Sequence, residues 1–241
     1  MSRCFDEARG LSLHARAVWR AAFLPHLAHA HRILDVGSGT GRLATLLAEW
    51  FGALVIGVEP AAGMRTIAAA TARRSGVFYV GGSAERLPVR AEFFAAALLS
   101  NVFHHVLDRP SCAKELYRTL SPGGSVLIRG GFAGRLGEIT LFEHFPEAKV
   151  ICEQFPTLDE TVEVFSKSGF VLESIERVVQ HTCSSLKELA ARTRLRADTT
   201  LALMTDKAFA MRQAALDEAA TAEMDPTTVV DTLDLVVLRK M

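Results

Sequence analysis

Three groups of residues in this chain have the types and spacing to do chemistry. Asp35 is followed by glycines at 37, 39 and 41, with Ser38 and Thr40 between them. A second acid, Glu59, ends the next apolar run, and a histidine pair, His104-His105, follows Ser100-Asn101-Val102-Phe103. Alternating glycines let the backbone take positive φ values and let a ligand lie against bare main chain. A helix that starts beside them points its first N–H groups at the same place. Arg42 stands where the dinucleotide fingerprint GxGxxG needs its third glycine, and no lysine follows as a phosphate loop requires.

These residues need elements to hold them. Ile33 and Leu34 read as the end of a strand, and Leu43, Leu46, Leu47 and Trp50 fall at helical spacing after the turn. Leu54 to Val58 reads as a second strand, which sets Glu59 at its carboxyl end, where a carboxylate can accept hydrogen bonds from both ribose hydroxyls. Pro60 to Met64 opens the next helix, and the Met64 thioether is soft enough to cover an adenine face. Val77 to Val80 is a third strand. The loop Gly81-Gly82-Ser83-Ala84-Glu85-Arg86-Leu87-Pro88 after it offers amides and a side-chain oxygen to an adenine edge. Ala95 to Leu99 is apolar enough for a central strand covered on both faces, residues 109–120 form a helix, and Pro122-Gly123-Gly124 separates that helix from the strand 126–129. Strand and helix alternate throughout, which predicts a doubly wound α/β sheet. A nucleoside-type turn without a phosphate signature suits S-adenosylmethionine, whose amino-acid tail carries an ammonium that Asp35 is placed to attract.

The flanking segments are less specific. Leu11, Ala15, Val18, Trp19, Ala22 and Phe23 line one face of an N-terminal helix that Pro25 should break or kink, within an N-terminal helical segment 1–31. His14, His26, His29 and His31 fall nearby without a cysteine or carboxylate to complete a ligand set, so no metal is expected, and His14 alone has a place to face a substrate. Segment 130–156, with Phe132, Phe142, Phe145 and Phe155, reads as a lid or pocket wall. A helix over 156–168 and a strand over 170–179 precede helical patterning in 184–225, and a last strand spans 229–238. The 184–225 insertion is expected to cap the substrate or to form a homodimer interface. Arg192, Arg194 and Arg196, two apart, scatter around a helix and make no nucleic-acid stripe.

Composition narrows the partners. With 49% hydrophobic residues and 241 residues in all, the chain can bury a large core as a single domain over 1–241. Twenty-seven basic and 27 acidic residues give no net electrostatic footprint for nucleic acid or an anionic membrane. Cys4, Cys112, Cys152 and Cys183 form no CxxC, which argues for reduced, partly buried thiols. No apolar run reaches the ~18 residues of a membrane helix, and the N-terminus lacks the apolar core of a signal peptide, so a cytoplasmic location is expected.

With these residues in place the chain resembles the class I S-adenosylmethionine-dependent methyltransferases, and more narrowly the small-molecule branch that includes the ubiquinone and menaquinone C-methyltransferases. The likeness rests on Ile33–Gly41, Gly57–Pro60, Gly82–Pro88, Ser100–His105 and Glu115–Gly124 in that order. It implies a Rossmann-like seven-stranded sheet, mostly parallel with the last strand antiparallel; where the minimal family fold joins the last two strands by a short hairpin, the residues 184–225 that intervene here predict a helical cap. It also implies that Asp35 and Gly37, Ser38, Gly39, Thr40 and Gly41 hold the methionine end, that Glu59 and Pro60 meet the ribose, and that Met64 with Ser83, Ala84 and Glu85 encloses the adenine. Ser100 and Asn101 then lie near the transferred methyl, and His105, with His104 next, is the candidate base. Ser83 and Ala95 stand where family members often carry aspartate. Two rival readings are a nicotinamide-dependent oxidoreductase, disfavoured by Arg42 and by the lack of a Tyr-xxx-Lys pair at Tyr117, and a cofactor-holding partner subunit that does not catalyse.

Overall fold

The computed structural model describes residues 10–71, 76–136 and 139–241, so Cys4, the first nine residues of the N-terminal segment and positions 137 and 138 of the 130–156 segment lie outside it. The chain begins with helix α1 (Leu13–Leu27) and then alternates β1 (Arg32–Val36), α2 (Arg42–Phe51), β2 (Leu54–Val58), α3 (Ala62–Thr71) and β3 (Val77–Val80). No helix joins β3 to β4 (Phe94–Ser100). Gly81, Gly82 and Pro88 break that connection, which holds instead a short Ser83–Arg86 bridge, so the strict alternation expected from the sequence fails at this one crossover.

A 3₁₀ turn (Phe103–His105), α4 (Arg109–Thr119), β5 (Leu120–Gly130), α5 (Leu141–His144), α6 (Pro146–Cys152) and α7 (Leu158–Ser166) follow. β6 (Phe170–Cys183), α8 (Leu186–Thr193), α9 (Thr199–Leu203), α10 (Asp206–Ala222) and β7 (Val229–Lys240) complete the chain.

The seven strands order as β3-β2-β1-β4-β5-β7-β6. The pairs β1–β2, β1–β4, β2–β3 and β4–β5 are parallel, and β7 runs antiparallel to β5. The expected α/β sheet with an antiparallel last strand is present. Its central strands read as continuous apolar runs because both faces are covered: Ile33, Leu34, Ala97, Leu98, Leu99, Val126 and Leu127 are all buried.

Several boundaries differ from the sequence reading, among them β6, which runs to Cys183 and not 179, and two of them have a clear physical reason. Helix α1 runs through Pro25 to Leu27, since a proline in the last turn removes only one backbone bond while the buried face Ala15, Trp19, Phe23, Leu27 continues past it. Strand β5 starts at Leu120, not 126: Leu120 pairs with Phe94, Pro122-Gly123-Gly124 bulge out, and pairing resumes at Ser125 opposite Ala96.

The chain divides into two compact units. A sheet unit comprises Arg20–Gly130, Leu158–Glu176 and Asp234–Met241. A helical unit comprises the described residues up to Trp19 together with Gly131–Thr157 and Arg177–Leu233. Within the helical unit Phe142 and Phe145 share one apolar core with Cys152, Cys183, Leu189, Leu201, Met204 and Leu216, and Phe155 packs against it. These phenylalanines, expected to wall a pocket, are the packing between the 131–157 segment and the helices of 186–222. Arg192, Arg194 and Arg196 are spent inside the same unit, on Glu188, Asp217 and Asp206.

Candidate cofactor site

All the residues singled out as cofactor-binding lie in the sheet unit, at the carboxyl ends of β1 to β4. Asp35 sits in β1 opposite Gly57 of β2 and Leu98 of β4 and is 2% exposed. The Ala44 N–H of α2 bonds its carboxylate, yet its Oδ2 has no partner in the structure. Burial, and next the charge of Glu59, push its pKa up to about 7, against the lowering effect of the Ala44 bond. Glu59 is 8% exposed, and its two oxygens accept from Gly39 N at 3.0 Å and Ala61 N at 2.9 Å. A carboxylate has about four lone-pair sites, so both Glu59 oxygens can still accept from a ligand.

The glycine turn spends its amides differently from the sequence expectation. Gly37 N and Ser38 N donate to Val58 O at 2.7 and 3.2 Å, and Gly41 N donates to Ser38 O at 2.9 Å. Together with Gly39, bonded to Glu59, the turn is self-satisfied. What it offers a ligand is bare space and unpartnered side-chain oxygens, Asp35 Oδ2 and Ser38 Oγ.

The three glycines have separate reasons to be glycine, although all take positive φ. A Cβ on Gly37 would strike Val102, and one on Gly41 would strike the Tyr79 hydroxyl. Gly39, at φ +55, has nothing within 4 Å of where its Cβ would stand. Gly39 alone faces open space, so it is the point at which a ligand can approach the backbone.

The residues expected to enclose an adenine lie in α3 and in the loop after β3. Met64 is half-buried in the first turn of α3, and the neighbouring Arg65 donates to Glu59 O at 2.6 Å and Pro60 O at 2.8 Å. Ala84 is buried, Ser83 and Glu85 are partly so, and Glu85 accepts from Leu107 N at 3.3 Å, tying this loop to the chain just past the histidines.

A self-contained nucleoside cradle with two buried carboxylates and an open glycine fits S-adenosylmethionine better than a phosphate-bearing cofactor. Residues 34–128 match the methyltransferase domain family. Demethylmenaquinone methyltransferase of Thermus thermophilus is 37% identical over 100 residues, which are 40% of this chain and 46% of that protein. The chain spans about half the length of the first curated relatives it matches. Among solved structures, one described as a methyltransferase from an antibiotic biosynthesis pathway of Anabaena variabilis has 18% identity and a TM-score of 0.75. It covers 98% of this chain and 100% of its own. Phosphoethanolamine N-methyltransferase 2 of Haemonchus contortus has 22% identity and a TM-score of 0.60, over 92% of this chain and 52% of that one. At these identities the structures speak for the fold.

The residues at the end of β4 and just beyond it are held from β5. Arg129, 6% exposed, donates from Nη1 to Ser100 Oγ at 3.0 Å, and its carbonyl accepts from Asn101 N at 2.8 Å. Asn101 takes φ +53, a conformation that asparagine tolerates better than most residues. The bend delivers Val102 against Gly37 and leads into the 3₁₀ turn, where the rings of His104 and His105 stand 4.2 Å apart. His105 is exposed and His104 half-buried. His14, by contrast, lies in the helical unit, stacked on His181 with ring centroids 3.6 Å apart. Among the described residues no cluster of three or more metal-ligating side chains occurs, and no helix is long and apolar enough to cross a membrane.

Sequence reasoning missed several supporting residues. Tyr79 lies opposite Gly57 across β2–β3 and its hydroxyl donates to Gly41 O at 3.2 Å; only the strand register reveals it. Glu115 and Arg118, inside the quoted Glu115–Gly124 motif, had no assigned task. Glu115 accepts from Leu87 N at 2.8 Å and from Arg118 at 2.7 Å, while Arg118 donates to Val89 O and Leu87 O. The pair clamps the end of the 83–88 loop, and the Arg118 guanidinium holds the Glu115 carboxyl below its ordinary pKa.

Proposed function

We propose that this chain is an S-adenosylmethionine-dependent methyltransferase that acts on a small-molecule metabolite. One observation carries the reading: an almost fully buried aspartate keeps an unpartnered oxygen beside a glycine turn whose middle glycine faces open space, within the stretch that matches the methyltransferase domain. When bound, S-adenosylmethionine supplies a methyl group on a positively charged sulfur. Positioning the acceptor in line and excluding water then account for much of the rate.

In this reading Asp35 draws the ammonium, residues 37–41 back the methionine end, and Glu59 accepts from the ribose with Pro60 beside it. Met64, Ser83, Ala84 and Glu85 enclose the adenine, and Ser100 and Asn101 flank the reacting end. His105 removes the acceptor's proton as the acceptor attacks the methyl carbon and the thioether leaves, a task suited to an imidazole base, and His104 is the second candidate. Segments 130–156 and 184–225 supply acceptor specificity within one methyltransferase domain. A small acceptor agrees with the balanced charge and with the quinone-type relative in the comparisons. A cytoplasmic homodimer belongs to the same reading, and sedimentation of the purified chain checks the pairing.

The test is turnover. Formation of S-adenosylhomocysteine with at least one of a panel of phenols, amines and enol-type acceptors is expected, with His105→Ala lowering kcat and leaving cofactor affinity within about twofold. Cofactor binding with no product from any acceptor would make the chain a non-catalytic partner subunit, and NAD binding alone would make it an oxidoreductase.

A further inference from the structure

We infer that Asp35 exchanges a proton for a cation: it is protonated in the ligand-free chain and releases that proton when a ligand ammonium binds beside it, so the site selects nucleosides bearing a charged amino tail. The inference rests on the cofactor reading above and adds a linkage that the reading does not contain.

The geometry leads to it. Two carboxylates, Asp35 and Glu59, are buried within interaction range of each other, and among the described residues neither has an ion pair with lysine or arginine. Asp35 lies opposite Gly57 of β2 and Leu98 of β4, interacts with Glu59 just past β2 and with Tyr79 of β3, and accepts from the Ala44 N–H of α2. None carries a positive charge. The nearest guanidinium described at Glu59, that of Arg65, is bonded to the Glu59 and Pro60 carbonyls.

Two buried like charges without a counter-charge cannot both ionise cheaply. Each Glu59 oxygen already accepts from a backbone amide, of Gly39 and of Ala61, whereas Asp35 keeps an unpartnered Oδ2, so we assign the proton to Asp35. Its pKa near 7 agrees. An ammonium at Oδ2 supplies the missing positive charge, the carboxyl O–H bond breaks, and the proton passes to the buffer while the ligand keeps its own protons. No other group changes state.

Calorimetry of the full chain between pH 5 and 7, in buffers of different ionisation enthalpy, reads the released proton directly. S-adenosylmethionine and S-adenosylhomocysteine, which both carry the ammonium, should each release about one proton at pH 5, with affinity about 50-fold weaker there than at pH 7. 5′-Methylthioadenosine, which lacks the amino-acid tail, should bind with no release and a flat pH profile. Asp35→Asn should abolish the release.

A ligand-free measurement guards against loss of binding. Because Asp35 holds its proton more tightly folded than unfolded, its burial costs nothing below about pH 4. The penalty grows as pH rises from about 4 to 7 and is constant above. The Tm of Asp35→Asn minus that of the parent chain should therefore rise across that window and then level off. Tight binding without proton release, or a Tm difference flat in pH, overturns the exchange and leaves the cofactor reading standing; no binding of either S-adenosyl compound at any pH overturns the cofactor reading, while the Tm comparison still decides the protonation.

Discussion

Two buried aspartates, one in each unit, show how the molecule separates structure from function. Asp231 in the helical unit has both oxygens engaged: Oδ1 accepts from Thr140 N at 2.9 Å and Oδ2 from the Thr182 hydroxyl at 2.6 Å. Burial still pushes its pKa up, with Asp198 and Glu143 adding to the rise and the two donors opposing it. Asp35 in the sheet unit is buried as well, yet its buried Oδ2 has no hydrogen-bond partner and the neighbour that perturbs it is a second carboxylate. The polar pairs of the helical unit follow Asp231. Gln213 donates to Ala190 O and Asp217, and accepts from Thr193. Asp231 is closed by its own chain and holds the fold together, whereas Asp35, with an oxygen unpartnered beside a second acid, is the one we propose for a ligand.

The largest effect that separates the two should come from Glu59→Ala and Asp35→Ala, each weakening S-adenosylmethionine binding at least about 100-fold by calorimetry, as expected when a charged partner is removed from a buried polar contact. Asp231→Ala should instead leave the buried Thr182 hydroxyl and Thr140 N–H without an acceptor, lowering unfolding free energy by roughly 2 kcal/mol in urea while the folded fraction binds cofactor normally. Equal effects of the two kinds of change on binding would erase the distinction.

The glycines sharpen it within the turn itself. Gly39→Ala should lose affinity about tenfold at a stability cost of only about 1 kcal/mol, the strain of a left-handed alanine. Gly41→Ala and Gly57→Ala meet Tyr79, and Gly57→Ala also meets Ser38, so they should cost about 1–3 kcal/mol in overpacking, read by thermal melts.

Glu115 should give a smaller effect with a pH signature. Its carboxyl is held below the ordinary value, so its contribution is present above about pH 4.5 and lost as pH falls through its depressed folded value. Glu115→Gln should therefore weaken cofactor binding a fewfold, and the stability gap to the parent should close in acid. Smallest of all, Arg194→Ala at a surface pair 53% exposed on the arginine should change stability by at most about 0.5 kcal/mol.

Much of the sheet unit was legible in the sequence. Leu54–Val58 and Val77–Val80 appear with the expected bounds because short apolar runs between glycines and acids leave little choice of register. Asp35, Glu59 and the 83–85 loop could be assigned to one edge because each lies at or just past the carboxyl end of a strand, and strand ends of a parallel sheet share one edge. Periodicity says which face of a segment is apolar and nothing about what covers it, so the common core of Phe142, Phe145, Leu189 and Leu216 could not be read in advance. The same limit hid Tyr79 behind Gly57, and hid the fact that the turn's amides are satisfied by Val58 and Glu59. Arg129 looked like an ordinary strand residue until the β4–β5 register set it against Ser100.

The measurement that bears most directly on the open carboxylate is a calorimetric titration of the parent chain and Asp35→Ala with S-adenosylmethionine and, separately, with NAD. The account predicts saturable binding of S-adenosylmethionine by the parent, its loss in Asp35→Ala, and no heat from NAD with either. Binding of NAD alone, or undiminished S-adenosylmethionine binding by Asp35→Ala, would contradict it.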